Sequence, residues 1–395
     1  MARAVTLVLL DVDGRLLGEL PPFEAQYPWW QEVADIVAAA RTACGVEIAV
    51  LRLLGGRGDG RPAMSGEATY LAQLTAPAPA GLPLRSSAFE ATSEPLRMPW
   101  ASPGGPQASV AWALDALASV GVTGVTPVQQ RSWNLSAIWR MHTAHGIAAW
   151  LKQVPSFFAH EPRAIELVRA IAPGLAPAVI ASDADGRMLL TDVPGDDGYG
   201  ASVDVRARIA ELLHPLQARY AGEYTALRAA GLPDRRLSRE RFVEVAAPWE
   251  DRIPGIRSLI DDLPARLVGI ERCGLPDTVV HGDLHPGNTR IGAGDPVIID
   301  WGDSSICHPA LDIMLLTYSL GGADAAAVQS EWAARWRRDA PGSDPLGALE
   351  LMRPLERWRS AVIMNDFVTN IEPSERIYHA DDERDMLAAA VAALG

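Results

Sequence analysis

The sequence predicts an α+β fold: a two-lobed body, β-rich in its first lobe and mostly helical in its second, behind a small N-terminal α/β domain. Three observations carry this. The first 74 residues alternate short apolar runs with one helical pattern. A stretch rich in Pro, Gly, Ser and Ala, residues 76–107, then breaks all periodicity. Beyond it short strand patterns follow one another to about residue 195, after which helical patterns dominate. The expected boundaries are 1–106 for the α/β domain with its linker, 107–195 for the first lobe and 196–395 for the second. A chain of 395 residues suits two or three such domains.

Taken in order, residues 5–10 (VTLVLL) read as a buried strand, and Asp11-Val12-Asp13-Gly14 as a turn. Residues 29–43 carry Trp30, Val33, Val37 and Ala40 on one helical face, with Gly45 as the stop. A second strand follows over 46–54, and a helix over 108–120 leads into the first lobe. There, 136–141 and 146–152 form two strands around a turn at 143–145, and 157–171 a helix. Two more strands cover 178–181 and 188–192. In the helical part, 278–290 and 297–300 stand out as a strand–loop–strand pair.

Composition excludes several classes. The chain is 48% hydrophobic and 21% charged, which is globular rather than disordered. No apolar run approaches the roughly 20 residues that span a bilayer, and the N-terminus lacks a cleavage pattern, so no membrane partner or signal peptide is expected. Three scattered cysteines, Cys44, Cys273 and Cys307, support neither a disulfide framework nor a zinc site; the expected location is cytoplasmic. A net charge of −14 argues against nucleic acid as partner and leaves room for a cationic small molecule.

The chemistry concentrates in Val279-Val280-His281-Gly282-Asp283-Leu284-His285-Pro286-Gly287-Asn288. An apolar strand runs into His-x-Asp, and an Asn stands five residues after the Asp. Phosphoryl transfer to a hydroxyl needs a carboxylate to orient the oxygen and accept its proton, and oxygen ligands for Mg2+ on the nucleotide. Asp283 suits the first role and Asn288 the second. The spacing equals that of the protein-kinase loop H-R-D-x-x-x-x-N, with Gly282 in place of Arg. A second apolar strand, 297–299, delivers Asp300 at its end, where the D-F-G aspartate holds metal in kinases. Either motif alone could be an ordinary turn; two in this order, each behind a strand, point to a metal-assisted phosphotransferase.

These residues, with Pro309-Ala310-Leu311-Asp312 beyond them, resemble the aminoglycoside phosphotransferases and the related choline and sugar kinases. The resemblance covers about 120–395 and implies a protein-kinase-like fold, ATP or GTP as donor, Mg2+, and a small hydroxylated acceptor such as an aminoglycoside, amino sugar or other sugar. Asp312 matches a family aspartate expected to bond the loop of Asp283. Lys152, the only lysine of the chain, ends a strand where the phosphate-gripping lysine of kinases stands. Glu161 is its expected partner, with Glu166 the rival. Residues 131–136 occupy the place of the glycine-rich loop without any glycine, and the Ser136 or Ser132 hydroxyl would cap phosphates there. Residues 188–193 match the hinge, so Asp192 and Val193 are expected beside the nucleotide base. The alternatives are a pseudokinase or nucleotide-binding regulatory module, and a protein kinase. The intact Lys, Asp, Asn, Asp set argues against the first, and the lack of an A-P-E segment against the second.

The N-terminal order of strand, hairpin, helix, glycine and strand resembles a Nudix domain. Residues 39–45 lack the glutamates such a domain uses for metal, so the expected role is covering or regulatory rather than catalytic.

Overall fold

The computed structural model describes residues 3–59 and 63–394. They divide into two compact units: residues up to 159 with 180–192 and 367–381 form one, and 160–179, 193–366 and 382 onward form the other.

The first unit is built on two five-stranded sheets. The N-terminal sheet contains β1 (Arg3–Leu10), β2 (Leu16–Glu19), β3 (Phe23–Ala25), β4 (Ile48–Arg57) and β5 (Gly66–Leu74), in the order β2-β1-β5-β4 with β3 also on β1. Strands β1 and β5 run parallel and the other pairs antiparallel. The apolar run of β1 sorts by parity, as a pleated strand requires. Val5, Leu7 and Leu9 join one core with Trp30 and with Ile36, Val37 and Ala40 of helix α1 (Ala34–Cys44), while Val8 and Leu10 join another with Leu51 and Leu71. Helix α1 ends at Gly45, in the left-handed region at φ 66°. It starts later than the periodicity predicts, because residues 29 and 30 are claimed elsewhere. The Trp30 N–H donates to Ala63 and its indole Nε1 to Ser65, 2.7 Å away, tying this stretch to the sheet.

The stretch 76–107 has no regular element before a single 3₁₀ turn, Pro99–Ala101, whose Trp100 is buried. Helix α2 (Gly105–Ser119) then leads into an antiparallel sheet of β6 (Thr126–Trp133), β7 (Ser136–Thr143), β8 (Gly146–Gln153), β9 (Val179–Ser182) and β10 (Arg187–Leu190), in the order β6-β7-β8-β10-β9. Its core joins Trp139, Met141, Leu151 and Leu189 to Trp100 and to Ala113 and Leu117 of α2.

The second unit is mostly helical. It contains α3 (Glu161–Ile171), α4 (Val203–Arg219), α5 (Tyr224–Ala229), α6 (Arg239–Ala246), α7 (Ile256–Arg272), α8 (Ala310–Thr317), α9 (Gly322–Asp339), most of α10 (Pro345–Thr369) and α11 (Asp382–Ala392). Two small sheets sit among them. One joins β11 (Asp196–Asp197), β13 (Thr289–Ile291) and β14 (Val297–Ile298); the other pairs β12 (Thr278–Val280) with β15 (Ser305–Cys307), a strand too short to be read from the sequence. Trp332 and Trp336 are buried on α9, which packs on α4, and the buried Trp358 indole donates to the Phe242 carbonyl at 3.0 Å. Among the described residues no helix is long and apolar enough to cross a membrane.

Within the first unit, the N-terminal sheet is bonded to β6. The Gln129 amide exchanges two 2.8 Å bonds with the Val50 backbone, Ser132 Oγ donates to Leu51, and Arg131 pairs with Glu32. The 3₁₀ turn Pro373–His379 closes the joint. The Asn134 amide donates to the Glu375 carbonyl, Leu53 N–H to Glu375 Oε1, and Glu372 takes Arg52 and Arg97 at 3.3 and 2.7 Å. Burial, reinforced by Glu372, pushes Glu375 up to about 8. A folded pKa raised above the unfolded value means stability is fully present below about 4.5 and lost as pH rises toward 8, by up to about 1.4 kcal/mol per pH unit. Glu375→Gln keeps the acceptor for Leu53 and removes the titration. Its melting temperature should therefore gain on the wild type between pH 5 and 8; parallel melting curves over that range would show that Glu375 is not held neutral.

Candidate active site

Strand β12 is buried at all three positions and stops at His281, where the chain turns sharply. Gly282 sits at φ 86°, and a Cβ there would lie 2.3 Å from the Asp303 carbonyl oxygen. That contact accounts for glycine where kinases carry Arg. The turn is held by Asp312, buried on α8. Its Oδ2 accepts the His281 N–H at 2.9 Å, its Oδ1 the Gly282 N–H at 3.0 Å, and Gln217 Nε2 donates to it at 2.9 Å. The His281 ring is buried in the neutral form, its pKa lowered by desolvation. Nε2 donates to the Ile299 carbonyl at 3.0 Å, while Nδ1 accepts the Asp283 N–H at 3.3 Å.

Asp283 follows directly, its side chain 46% exposed. Asn288 Nδ2 donates to both the Asp283 carbonyl, at 2.9 Å, and its Oδ2, at 3.0 Å. The amide oxygen of Asn288 is thereby the atom left for a further ligand. The backbone carbonyl of Asn288 accepts the Ile299 N–H at 2.9 Å, which places the loop beside the strand that delivers Asp300. Asp300 is exposed and left-handed, φ 62° and ψ 61°. Asp tolerates that region better than most residues, but it still costs about 1 kcal/mol or more, a strain typical of functional sites. The surrounding protein, then the charges of Asp303 and Asp300, push Asp283 well above the usual carboxylate range. Asp303 is raised too, first by burial, with Arg235 (Nη1 to Oδ1, 3.3 Å) opposing.

Three mutually repelling carboxylates with an amide oxygen beside them form a hard-oxygen set that suits Mg2+. Among the described residues no three His, Cys, Asp or Glu converge as a ready-made metal cluster.

The structure brings Asp283, Asn288 and Asp300 together in the second unit. Glu161 also lies there, fully buried on the first turn of α3, whereas Glu166 is exposed and paired with Arg163. Val193 follows at the junction after β10. The other predicted residues belong to the first unit. Lys152 is buried on β8, the central strand of its sheet, between Ile138 on β7 and Met188 on β10. The Ser136 hydroxyl accepts from the Trp133 indole at 2.9 Å, and Ser132 is engaged with the N-terminal sheet. Asp192 Oδ1 accepts from the Trp150 indole at 2.7 Å.

Two neighbours of the loop escape sequence reasoning. Tyr199 stacks on His285 with centroids 5.6 Å apart. Arg359 of α10 donates from Nη1 to the Gly282 carbonyl at 3.3 Å. Nothing in one sequence separates Arg359 from the other basic residues, 35 Lys and Arg in all. The signal would have been its place on the apolar face of α10, beside buried Leu355, Trp358 and Ala361.

Comparison with known proteins gives the fold and the family. In the solved structures, choline kinase LicA from Streptococcus pneumoniae is 15% identical, with a TM-score of 0.53 over 72% of this chain and 98% of that chain. That likeness gives the α+β, protein-kinase-like fold. Macrolide 2'-phosphotransferase MphH from Brachybacterium faecium is 18% identical, with a TM-score of 0.49 over 73% of this chain and 98% of that one. No curated protein matches the sequence. A sequence model described as the phosphotransferase enzyme family matches residues 129–349, a span that runs from β6 through the Asp283 loop to the start of α10. Since that span is more than half of the chain, the protein belongs to the phosphotransferase enzyme family.

Proposed function

We propose that this small-molecule phosphotransferase moves the γ-phosphoryl group of ATP or GTP to a hydroxyl of an aminoglycoside, amino sugar or other sugar. The observation that carries the reading is the Asp283–Asn288 pair on a loop pinned by Asp312, with Asp300 beside it. Asp283 is the group placed to accept a hydroxyl proton, because it is the half-buried carboxylate on the pinned turn and its raised pKa favours taking that proton. Asn288 fixes the Asp283 carboxylate through Nδ2, so one rotamer meets the acceptor. The Asn288 amide oxygen and the Asp300 carboxylate are the atoms that would hold Mg2+. Bound there, the ion supplies charge neutralisation for the nucleotide phosphates. Lys152 adds a compact, desolvated ammonium for the same phosphates, and Glu161 is the buried carboxylate assigned to orient it. Asp192 and Val193 are assigned to the nucleotide base, and Ser136 to a phosphate. The N-terminal sheet, outside the matched span, is assigned a supporting or regulatory role without chemistry of its own. We place the enzyme in the cytoplasm.

Two substitutions test this. Asp283→Asn should lower turnover by roughly 10²–10⁴-fold while nucleotide still binds, since it removes the proton acceptor and little else. Turnover within about tenfold of wild type would remove Asp283 from that role. Asp300→Ala should weaken nucleotide affinity in the presence of Mg2+ and leave Mg2+-free affinity nearly unchanged. Equal affinities for variant and wild type across a Mg2+ titration would make Asp300 a turn residue only.

A further inference from the structure

A pocket of about 280 Å³ lies in the second unit, next to the Asp283 loop. Four arginines, Arg235, Arg236, Arg241 and Arg359, line it together with two aspartates, Asp234 and Asp366. Three of the arginines are answered. Arg235 pairs with Asp303, Arg236 with Asp234, and Arg241 with Asp366 and Glu244.

Arg359 is different. It is only 6% exposed, and Nη1 reaches the Gly282 carbonyl, but Nε and Nη2 are buried and make no hydrogen bond. The Cys307 thiol beside it is a weak acceptor, and its own hydrogen goes to the Arg235 carbonyl at 3.0 Å. Nε and Nη2 form one edge of the guanidinium, the edge that takes a carboxylate or phosphate through two parallel bonds. A permanently charged donor pair that meets only a thiol sulfur is poorly satisfied, and an anion in the pocket would satisfy it better. Phe242, Val362 and Ile363 give the pocket an apolar wall against which a carbon skeleton can lie.

Building on the proposed phosphotransfer, we infer that the acceptor is anionic, a polyol or sugar carrying a carboxylate or phosphate. Arg359 receives that group while the skeleton brings a hydroxyl to Asp283, one residue beyond the carbonyl Arg359 holds. In the transfer the acceptor oxygen bonds to the γ-phosphorus as the bond from that phosphorus to the β–γ bridging oxygen breaks. The electron pair leaves with the nucleoside diphosphate, and the hydroxyl proton passes to Asp283. The acidic net charge alone pointed toward a cation; the Arg359 edge that lines the pocket points toward an anion.

The test uses the full chain with ATP, GTP and Mg2+, and the probes gluconate, a glucose phosphate, glucose, glucosamine and kanamycin, which differ in charge. Nucleoside diphosphate release is measured, with calorimetric binding of each probe beside a non-hydrolysable nucleotide. One of the two anions should exceed glucose and both cations by about tenfold or more in kcat/KM or in affinity, the scale of hydrogen bonds to charged groups. Arg359→Gln should erase that preference, mainly through KM, and Arg359→Lys should restore part of it. A residue that merely balanced the nearby carboxylates would affect all probes alike. Preference for a cation, or no saturable binding of either anion by the wild type at millimolar concentration, overturns the inference. Acceptor-free nucleotide hydrolysis, and its loss in Asp283→Asn, tests the transfer chemistry separately. Hydrolysis with a cation preferred would spare the phosphotransfer and reject the anion.

Discussion

The buried carboxylate of Asp312 is the constraint on which the site depends. A charge with almost no access to water survives only if its lone pairs are used, and here His281, Gly282 and Gln217 use them. Two of these donors are consecutive backbone amides at the exit of β12, so satisfying Asp312 forces the turn. The turn in turn fixes the neutral His281 ring against Ile299 and sets where Asp283 emerges. Helices α4 and α8, the strand pair β12–β15 and the Asp300 strand are thereby tied to one side chain.

Around this anchor charges of both signs meet. Asp283, Asp300 and Asp303 crowd together, and Asp300 helps burial raise the pKa of Asp283 and Asp303, an arrangement that suits a cation. The arginines of the neighbouring pocket border them, Arg235 pairing with Asp303 and Arg359 reaching the Gly282 carbonyl. A net charge of −14 averages these fields away, which is why overall charge is a poor guide to what a single cleft prefers.

Much of this was legible in the sequence because the informative residues are close together. The run from His281 to Asn288 and the strand ending at Asp300 each sit behind an apolar segment, so their spacing pointed to the chemistry, while Asp312 stood out only through the family resemblance. The β-rich stretch followed by helices gave the fold class. What escaped depends on partners distant in sequence. Glu372 and Glu375 return from the end of α10 to meet Arg52, Arg97 and Leu53, and no local pattern announces such a return. Gln129 carries no local sign that its amide bonds Val50 in another sheet. Trp30 fitted a helical face but spends its backbone and indole on residues 63 and 65, so helix α1 starts later. The likeness of the N-terminal segment to a Nudix domain rests on element order alone.

The central claim is that Asp312 holds the loop on which Asp283 acts, and amide hydrogen exchange reads it most directly. In the wild type the His281 and Gly282 amides should be among the most protected of the loop. Asp312→Asn replaces an acceptor by a donor facing those amides, leaving a buried group unsatisfied at about 1–3 kcal/mol. Both amides should then exchange faster, by roughly tenfold or more, with a parallel fall in turnover while the rest of the chain stays folded. Unchanged protection at residues 281 and 282 together with unchanged turnover would contradict the account.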